Sequence, residues 1–373
     1  MRLWTLLFFL NSAGLVVHAL EGPAIKDHTQ STKTRVFVYE REVYDLSRIL
    51  SCARKCPKVG YNSGLYDMEY YVKALFSEAP GRAFLEEDAD FYFVPVYANM
   101  HAVCVGNATN RYMHNEYLWY FNETIKQITR LPTWKERNGA DHIFVVTPGF
   151  ASDIKHIFPA LQHAIILTSY KPINVHYTVD REIVIPAIMT AYSTHVSQTR
   201  ARLTSFESRT LLAAFKGKIR KDLRHSHGVR QRLIDLFGSS TVISIDNNPN
   251  GDFTAAIEAR FCLCPPGYFN WTARPVEAIY NGCVPVIIGR QSLAFEDIID
   301  WSELSVSVSF EDLPNLQTIL QNISLEEGKR LQKKGTGALK FLFFDHTIQQ
   351  DFPVRNRGFL YMLYRHLSTM KFW

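Results

Sequence analysis

The residues with the most chemical content lie in one stretch, Arg260-Phe-Cys-Leu-Cys-Pro-Pro-Gly267-Tyr-Phe-Asn-Trp-Thr272-Ala-Arg274-Pro-Val-Glu277-Ala-Ile-Tyr-Asn-Gly282-Cys-Val-Pro-Val-Ile-Ile288. The pattern reads strand, glycine-bearing loop, helix, glycine stop, strand. Pro265 ends the first strand, Gly267 permits a tight turn, Thr272 can cap the helix, and Gly282 ends it. A helix N-terminus placed there attracts an anion, because free N–H groups and the helix dipole point at it. Arg274 falls in the first turn beside that anion. Glu277 lies about one helical turn deeper on the same face, where a carboxylate suits two ribose hydroxyls. The same spacing suits an Arg274–Glu277 ion pair in an ordinary strand–helix–strand unit, and spacing alone does not separate the two.

A second group is basic. Lys216, Lys218, Arg220, Lys221, Arg224, Arg230 and Arg232 fall in one stretch with Asp222 opposing them. A nucleotide diphosphate held without a metal needs such donors, and arginine supplies a bidentate fork. Lys216, Lys218 and Arg220 directly follow an apolar strand, at its carboxyl end, and are read as site residues together with Arg230. Lys221, Arg224 and Arg232 read as a solvated helix face. Metal-ligating patterns are weak. Asp88-Ala89-Asp90 opens a strand rather than following one, which points both carboxylates away from a cleft. His225-Ser-His227 reads as a loop pair, and the cysteine spacing forms no paired zinc knuckles. No metal site is expected.

The elements that position these groups alternate. Strand patterns at 35–39, 90–95, 142–146, 164–168 and 183–186 are separated by helical periods such as 66–77 and 115–129. A polar stretch rich in Ser, Thr and Arg, 195–209, reads as a linker. The pattern then restarts, with strands at 211–215, 241–245, 261–264, 284–288 and 305–308. Helices are expected at 228–237, 273–280, 313–321 and 325–342, and an amphipathic helix at 357–367 closes the chain. Short strands apolar on both faces, alternating with helices, predict parallel sheets covered on both sides. The fold class is therefore α/β, with two doubly wound, Rossmann-like domains that bind ligands in the cleft between them. The expected boundaries are 35–194 for an N-terminal domain and 210–373 for a C-terminal one.

Composition agrees with that size. The chain has 373 residues, 47% hydrophobic and 21% charged, which excludes disorder and collagen. A net charge of +5 is mild for this length and argues against a nucleic-acid binder. Aromatic residues reach 13%, which suits stacked sugars or bases as well as filled cores.

The 260–288 segment resembles the nucleotide-sugar signature of the exostosin family of glycosyltransferases. Cys264-Pro265-Pro266-Gly267, Arg274, Glu277-Ala278-Ile279 and Gly282-Cys283-Val284-Pro285-Val286-Ile287 carry the likeness, and Phe295-Glu-Asp-Ile-Ile-Asp-Trp301 continues it. Upstream, Arg35–Glu40, Ala89–Tyr97, Ala140–Val145 and Ile183–Pro186 are similar to further landmarks, in family order. Phe215-Lys216-Gly217-Lys218 with Arg220 resembles the family's donor-phosphate loop. Thr147-Pro148-Gly149 replaces the histidine-aspartate-tryptophan common in plant members.

The resemblance implies a GT-B arrangement and transfer of a sugar, with inversion, from a nucleotide-sugar donor such as a UDP-sugar. The acceptor would be a glycan or glycoprotein. The donor enters as co-substrate, with no cofactor. The C-terminal domain would hold the donor and the N-terminal domain the acceptor. Inversion needs a base to take the acceptor proton. It is expected on loops after N-terminal strands, which makes His101 and Asp153 the candidates, with Asp67 and Glu69 behind them. The rival reading is a non-catalytic lumenal subunit that stabilises an active partner. Homo- or hetero-oligomers are compatible with either.

The N-terminus points to the secretory pathway, and the Golgi lumen is the expected location. Arg2 precedes apolar runs at 3–10 and 13–19, and Val17-His18-Ala19 resembles a cleavage site. Residues 1–19 are therefore a cleaved signal peptide or a membrane anchor, and 20–34 a polar tether. Four N-x-[ST] sequons, at Asn107, Asn122, Asn270 and Asn322, and six cysteines fit that compartment. Cys52 and Cys56 read as a local staple, and Cys262 and Cys264 share one face of a strand.

Overall fold

The computed structural model describes residues 34–39, 68–105, 110–146, 154–171, 181–187, 204–247, 258–343 and 357–370. Six short strands form the first sheet: β1 (Val36–Val38), β2 (Arg82–Ala83), β3 (Phe91–Phe93), β4 (His142–Val146), β5 (Ile165–Thr168) and β6 (Glu182–Val184). Their order is β2-β1-β3-β4-β5-β6, parallel throughout. The second sheet holds β7 (Leu211–Lys216), β8 (Ile243–Asp246), β9 (Ala259–Cys264), β10 (Val284–Ile288) and β11 (Val306–Val308). It is also parallel, in the order β11-β10-β9-β7-β8. Every residue of β4 and β10 is buried, as strands covered by helices on both faces require. The doubly wound α/β class expected from the sequence is thus observed.

Strand order locates the crevices. In the second sheet the chain steps from β7 outward to β8, then returns to β9 on the other side of β7. In the first it steps from β1 to β2, then to β3. Ligands of open α/β sheets bind outside the carboxyl ends of the strands at such reversals. The second reversal lies at Lys216 and Cys264. The first lies just after Val38 and Phe93.

The helices used below are α1 (Met68–Glu78), α2 (Ala98–Val105), α3 (Asn110–Ile128), α4 (Val229–Phe237), α5 (Arg274–Tyr280), α6 (Leu325–Leu342) and α7 (Arg357–Thr369). One apolar cluster runs through both units. It includes Val36, Phe93 and Ile183 of the first sheet, Val276, Ile279 and Trp301 of the second unit, and Phe359 and Leu363 of α7. Polar contacts join the units at the same place. Lys171 N–H donates to Ser292 Oγ at 2.9 Å, Lys171 Nζ lies 3.0 Å from Asp297, and Phe295 N–H donates to Val184 O at 2.7 Å.

Two boundaries differ from the sequence reading. Residues 204–209, expected as the end of the linker, pack into the second unit. Phe206 stands edge-on to Phe261, 5.3 Å between centroids, and the buried Arg209 donates to the carbonyls of Ala259 and Asn281 at 3.0 Å each. Helix α7, expected within the C-terminal domain, bridges back to the first unit. Its Tyr364 ring covers Gly81, where a Cβ would come within 2.8 Å, and meets Phe76 at 6.1 Å. Among the described residues, no helix is long and apolar enough to cross a membrane.

Candidate functional site

The glycine stop of α5 behaves as its residue type demands. Gly282 has φ 68°, Cys283 N–H reaches Ala278 O at 2.9 Å, and Gly282 N–H reaches Ile279 O at 2.9 Å. This is the left-handed helix end that glycine allows. The start of the helix is less regular. Ala273 occupies the cap position without a side-chain bond, while Thr272 Oγ accepts from Arg274 N–H at a long 3.4 Å. With seven residues, α5 has a small dipole. An anion placed there would be held mainly by side-chain cations rather than by the helix end. Gly267 has no left-handed φ. A Cβ there would lie 3.4 Å from Trp271 O, an ordinary contact, so neither conformation nor packing requires glycine at this turn.

Lys216, Arg274 and Glu277, distant in sequence, come together. With Ala214, Cys262, Cys264 and Asn281 they line a pocket of about 30 Å³ at the ends of β7 and β9. Lys216 is buried, and register sets it beside Asp246 of β8, Nζ to Oδ2 3.6 Å. Arg274 Nη1 lies 3.7 Å from Glu277 Oε2, so the ion pair left open by the sequence is present. That pair does not saturate Arg274, whose Nε is buried without a hydrogen-bond partner. A Cβ on Gly217 would run into the same guanidinium, so this glycine gives Arg274 its room.

Arg230 joins the group from α4. Its guanidinium lies 5.4 Å from the Phe215 ring, and that of Arg274 lies 5.1 Å from the same ring. Arg230 Nε donates to Pro266 O at 3.2 Å and Nη1 to Lys218 O at 3.0 Å, which ties the loop after β7 to the turn after β9. Burial, then the neighbouring Arg274, push the Arg230 pKa down to about 9, against the pull of Glu277. Two guanidiniums on one ring with a single nearby carboxylate make a field that an anion relieves. Lys218 and Arg220 are exposed on the adjoining loop, with Arg220 5.6 Å above the Tyr268 ring.

The cysteines around this site divide. Cys262 and Cys283 form a disulfide with Cα atoms 5.7 Å apart, fastening β9 to the end of α5. Cys264 is a buried thiol whose pKa is driven up by desolvation. Cys52 and Cys56 lie outside the described residues.

On the facing unit, His101 was expected on a loop, but 98–105 is helical. The cap is tertiary: the buried Glu69 carboxylate of α1 receives Asn99 N–H at 3.3 Å to each oxygen. Glu69, a reserve candidate base, is therefore engaged at a helix end. His101 Nε2 lies 3.1 Å from Glu116 Oε2 of α3. Its ring packs against Tyr120, 4.9 Å away, and the exposed Trp119, 5.6 Å away. Sequence reasoning missed Glu116; the signal available was only its place on a helical period. Asp153 and Asp67 lie outside the described residues. Asp90 accepts Arg35 N–H at 2.7 Å and Asp88 lies 3.6 Å from the Arg35 guanidinium, at the amino end of β3 and away from both crevices.

Comparison with known proteins identifies a family. The Exostosin GT47 domain matches residues 30–323. A probable glucuronosyltransferase of Oryza sativa subsp. japonica is 28% identical over 346 residues, covering 87% of this chain and 79% of that protein. A probable beta-1,4-xylosyltransferase of Arabidopsis thaliana is 27% identical, covering 81% and 74%. Among solved structures, a glycosyltransferase from Rickettsia africae aligns over 91% of this chain and 99% of its own, at 10% identity and a TM-score of 0.38.

Proposed function

The chain belongs to the exostosin GT47 family of glycosyltransferases, and we propose that it moves a sugar from a uridine-diphosphate donor onto a glycan or glycoprotein, with inversion. The observation that carries this reading is the meeting of Lys216, Arg230, Arg274 and Glu277 at the strand-order reversal of the second sheet. Lys216, Arg230 and Arg274, with Lys218 and Arg220 on the adjoining loop, hold the diphosphate and its charge as it leaves, in place of a metal ion. Glu277 accepts from the ribose hydroxyls.

The acceptor occupies the first unit. There His101 is the base we favour, because Glu116 fixes one ring nitrogen and leaves Nδ1 for the acceptor proton. The acceptor oxygen then forms the new bond to the sugar carbon as the bond to the diphosphate breaks on the opposite face. The place of action is the lumen of the secretory pathway, on the N-terminal pattern and the sequons. Calorimetric titration of the purified protein with UDP tests the donor site. Micromolar binding that Arg274→Ala abolishes supports the reading, whereas wild-type protein blind to UDP removes it. UDP binding without turnover on any acceptor would favour the non-catalytic subunit.

A further inference from the structure

His225 is used by nothing in the mechanism above. Only 6% of it is exposed, and its Nδ1 is buried without a hydrogen-bond partner. A buried polar nitrogen left unpaired is costly, so it points to a partner that arrives with a ligand. The neighbours define that ligand's charge. Burial and the cations Arg230, Arg220 and Lys218 push the imidazole pKa down to about 4, and Asp222 alone opposes them. Asp222 is itself held by Arg224 at 2.9 Å. A neutral ring among cations offers a hydrogen bond without adding charge, and an anion is what such a place stabilises.

Backbone conformation supports a dedicated placement. Ser226, His227 and Gly228 have φ of 62°, 51° and 78°, three successive left-handed residues of which two are not glycine. Strain of that kind persists only where the surroundings fix it, and it concentrates at functional sites. Here Ser226 N–H donates to Gly267 O at 2.6 Å, and Ser226 Oγ accepts Arg230 N–H at 3.2 Å. The His225 ring stands edge-on to Tyr268 at 4.8 Å, the ring over which Arg220 lies. The imidazole, on the segment that follows β7, is thereby set against the turn after β9, where the two loops of the crevice meet.

We propose that His225 hydrogen-bonds through Nδ1 to a phosphate oxygen of the nucleoside diphosphate, alongside Lys218 and Arg220. This rests on the donor-site reading above and adds to it a residue that orients the diphosphate. The ring keeps its proton throughout, so it acts as a binding group and not as an acid.

The test is titration of wild type, His225→Ala, His225→Asn and His225→Gln with UDP and with uridine, beside melting curves. Asparagine places an amide N–H near the Nδ1 position, whereas glutamine reaches toward Nε2. His225→Ala is expected to lose about tenfold to hundredfold in UDP affinity, the size of one hydrogen bond to a charged group, with uridine binding unchanged. His225→Asn should recover most of the loss and His225→Gln little. Unchanged UDP affinity in His225→Ala overturns the proposal. So does an equal loss on uridine, or an equal loss in all three variants with lowered melting, which marks a packing role. Wild type that fails to bind UDP overturns the donor site and this proposal together, and so is told apart from the other failures.

Discussion

Glu277→Gln separates the two roles the structure leaves on this carboxylate. The side chain faces Arg274 at 3.7 Å, with 24% and 26% of the two side chains exposed. A pair about a quarter exposed and at that distance contributes at most about 1 kcal/mol to folding. That amounts to a melting shift of roughly 2–4 °C in a domain of this size. Hydrogen bonds from ribose hydroxyls to a carboxylate contribute about 1.5–3 kcal/mol, against about 0.5–1.5 for a neutral acceptor. The variant should therefore lose about one order of magnitude in UDP affinity. Inorganic pyrophosphate, which lacks the ribose, should not share that loss. Removing the negative charge beside Arg274 and Arg230 leaves their field less compensated, so pyrophosphate should bind equally or more tightly. Calorimetry with UDP and pyrophosphate, with melting curves, reads all three quantities. Unchanged UDP binding with a lowered melting temperature would refute the ribose role and leave Glu277 as a partner that only holds Arg274.

Three further outcomes are expected. Replacing Cys262 and Cys283 by serine opens a cross-link spanning 21 residues and should cost about 3 kcal/mol, a fall in melting temperature on the order of 10 °C; an unchanged melting curve would show the link to be dispensable. His101→Ala should lower kcat by about 10²–10⁴-fold and Glu116→Gln by less, both with UDP affinity intact, and a normal kcat in His101→Ala would move the base elsewhere. Mass spectrometry should find glycan at the exposed Asn322 and none at Asn270, whose carbonyl accepts Ser292 N–H at 2.9 Å in a loop where Phe269 stacks on Tyr170 at 4.9 Å; full occupancy at Asn270 would contradict that loop placement.

What the sequence revealed follows from which forces are local. The strand–loop–helix–strand run at 260–288 was legible because proline and glycine punctuate it: Gly282 takes the left-handed φ its type allows. Strands buried on both faces, such as β10 and β4 beyond His142, show as unbroken apolar runs. Helix α2 was not legible because its cap, Glu69, belongs to another helix. The period of α7 showed an apolar face but not that the face returns to Phe76 and Gly81. The convergence of Arg230 and Arg274 on Phe215 depends on how β7 and β9 pair, which residue spacing does not encode. His225 was read as part of an ordinary loop, because neither serine nor histidine signals left-handed backbone at Ser226 and His227.

In the proposed reaction this cleft carries out sugar transfer with protein cations in charge of the leaving diphosphate. Hydrolysis of UDP-sugars by the purified chain, across a donor panel in EDTA, tests it most directly. Release of UDP from at least one donor is expected, undiminished by EDTA and lost in Arg274→Ala. Release that vanishes in EDTA and returns only with manganese, or that survives in Arg274→Ala, would contradict it.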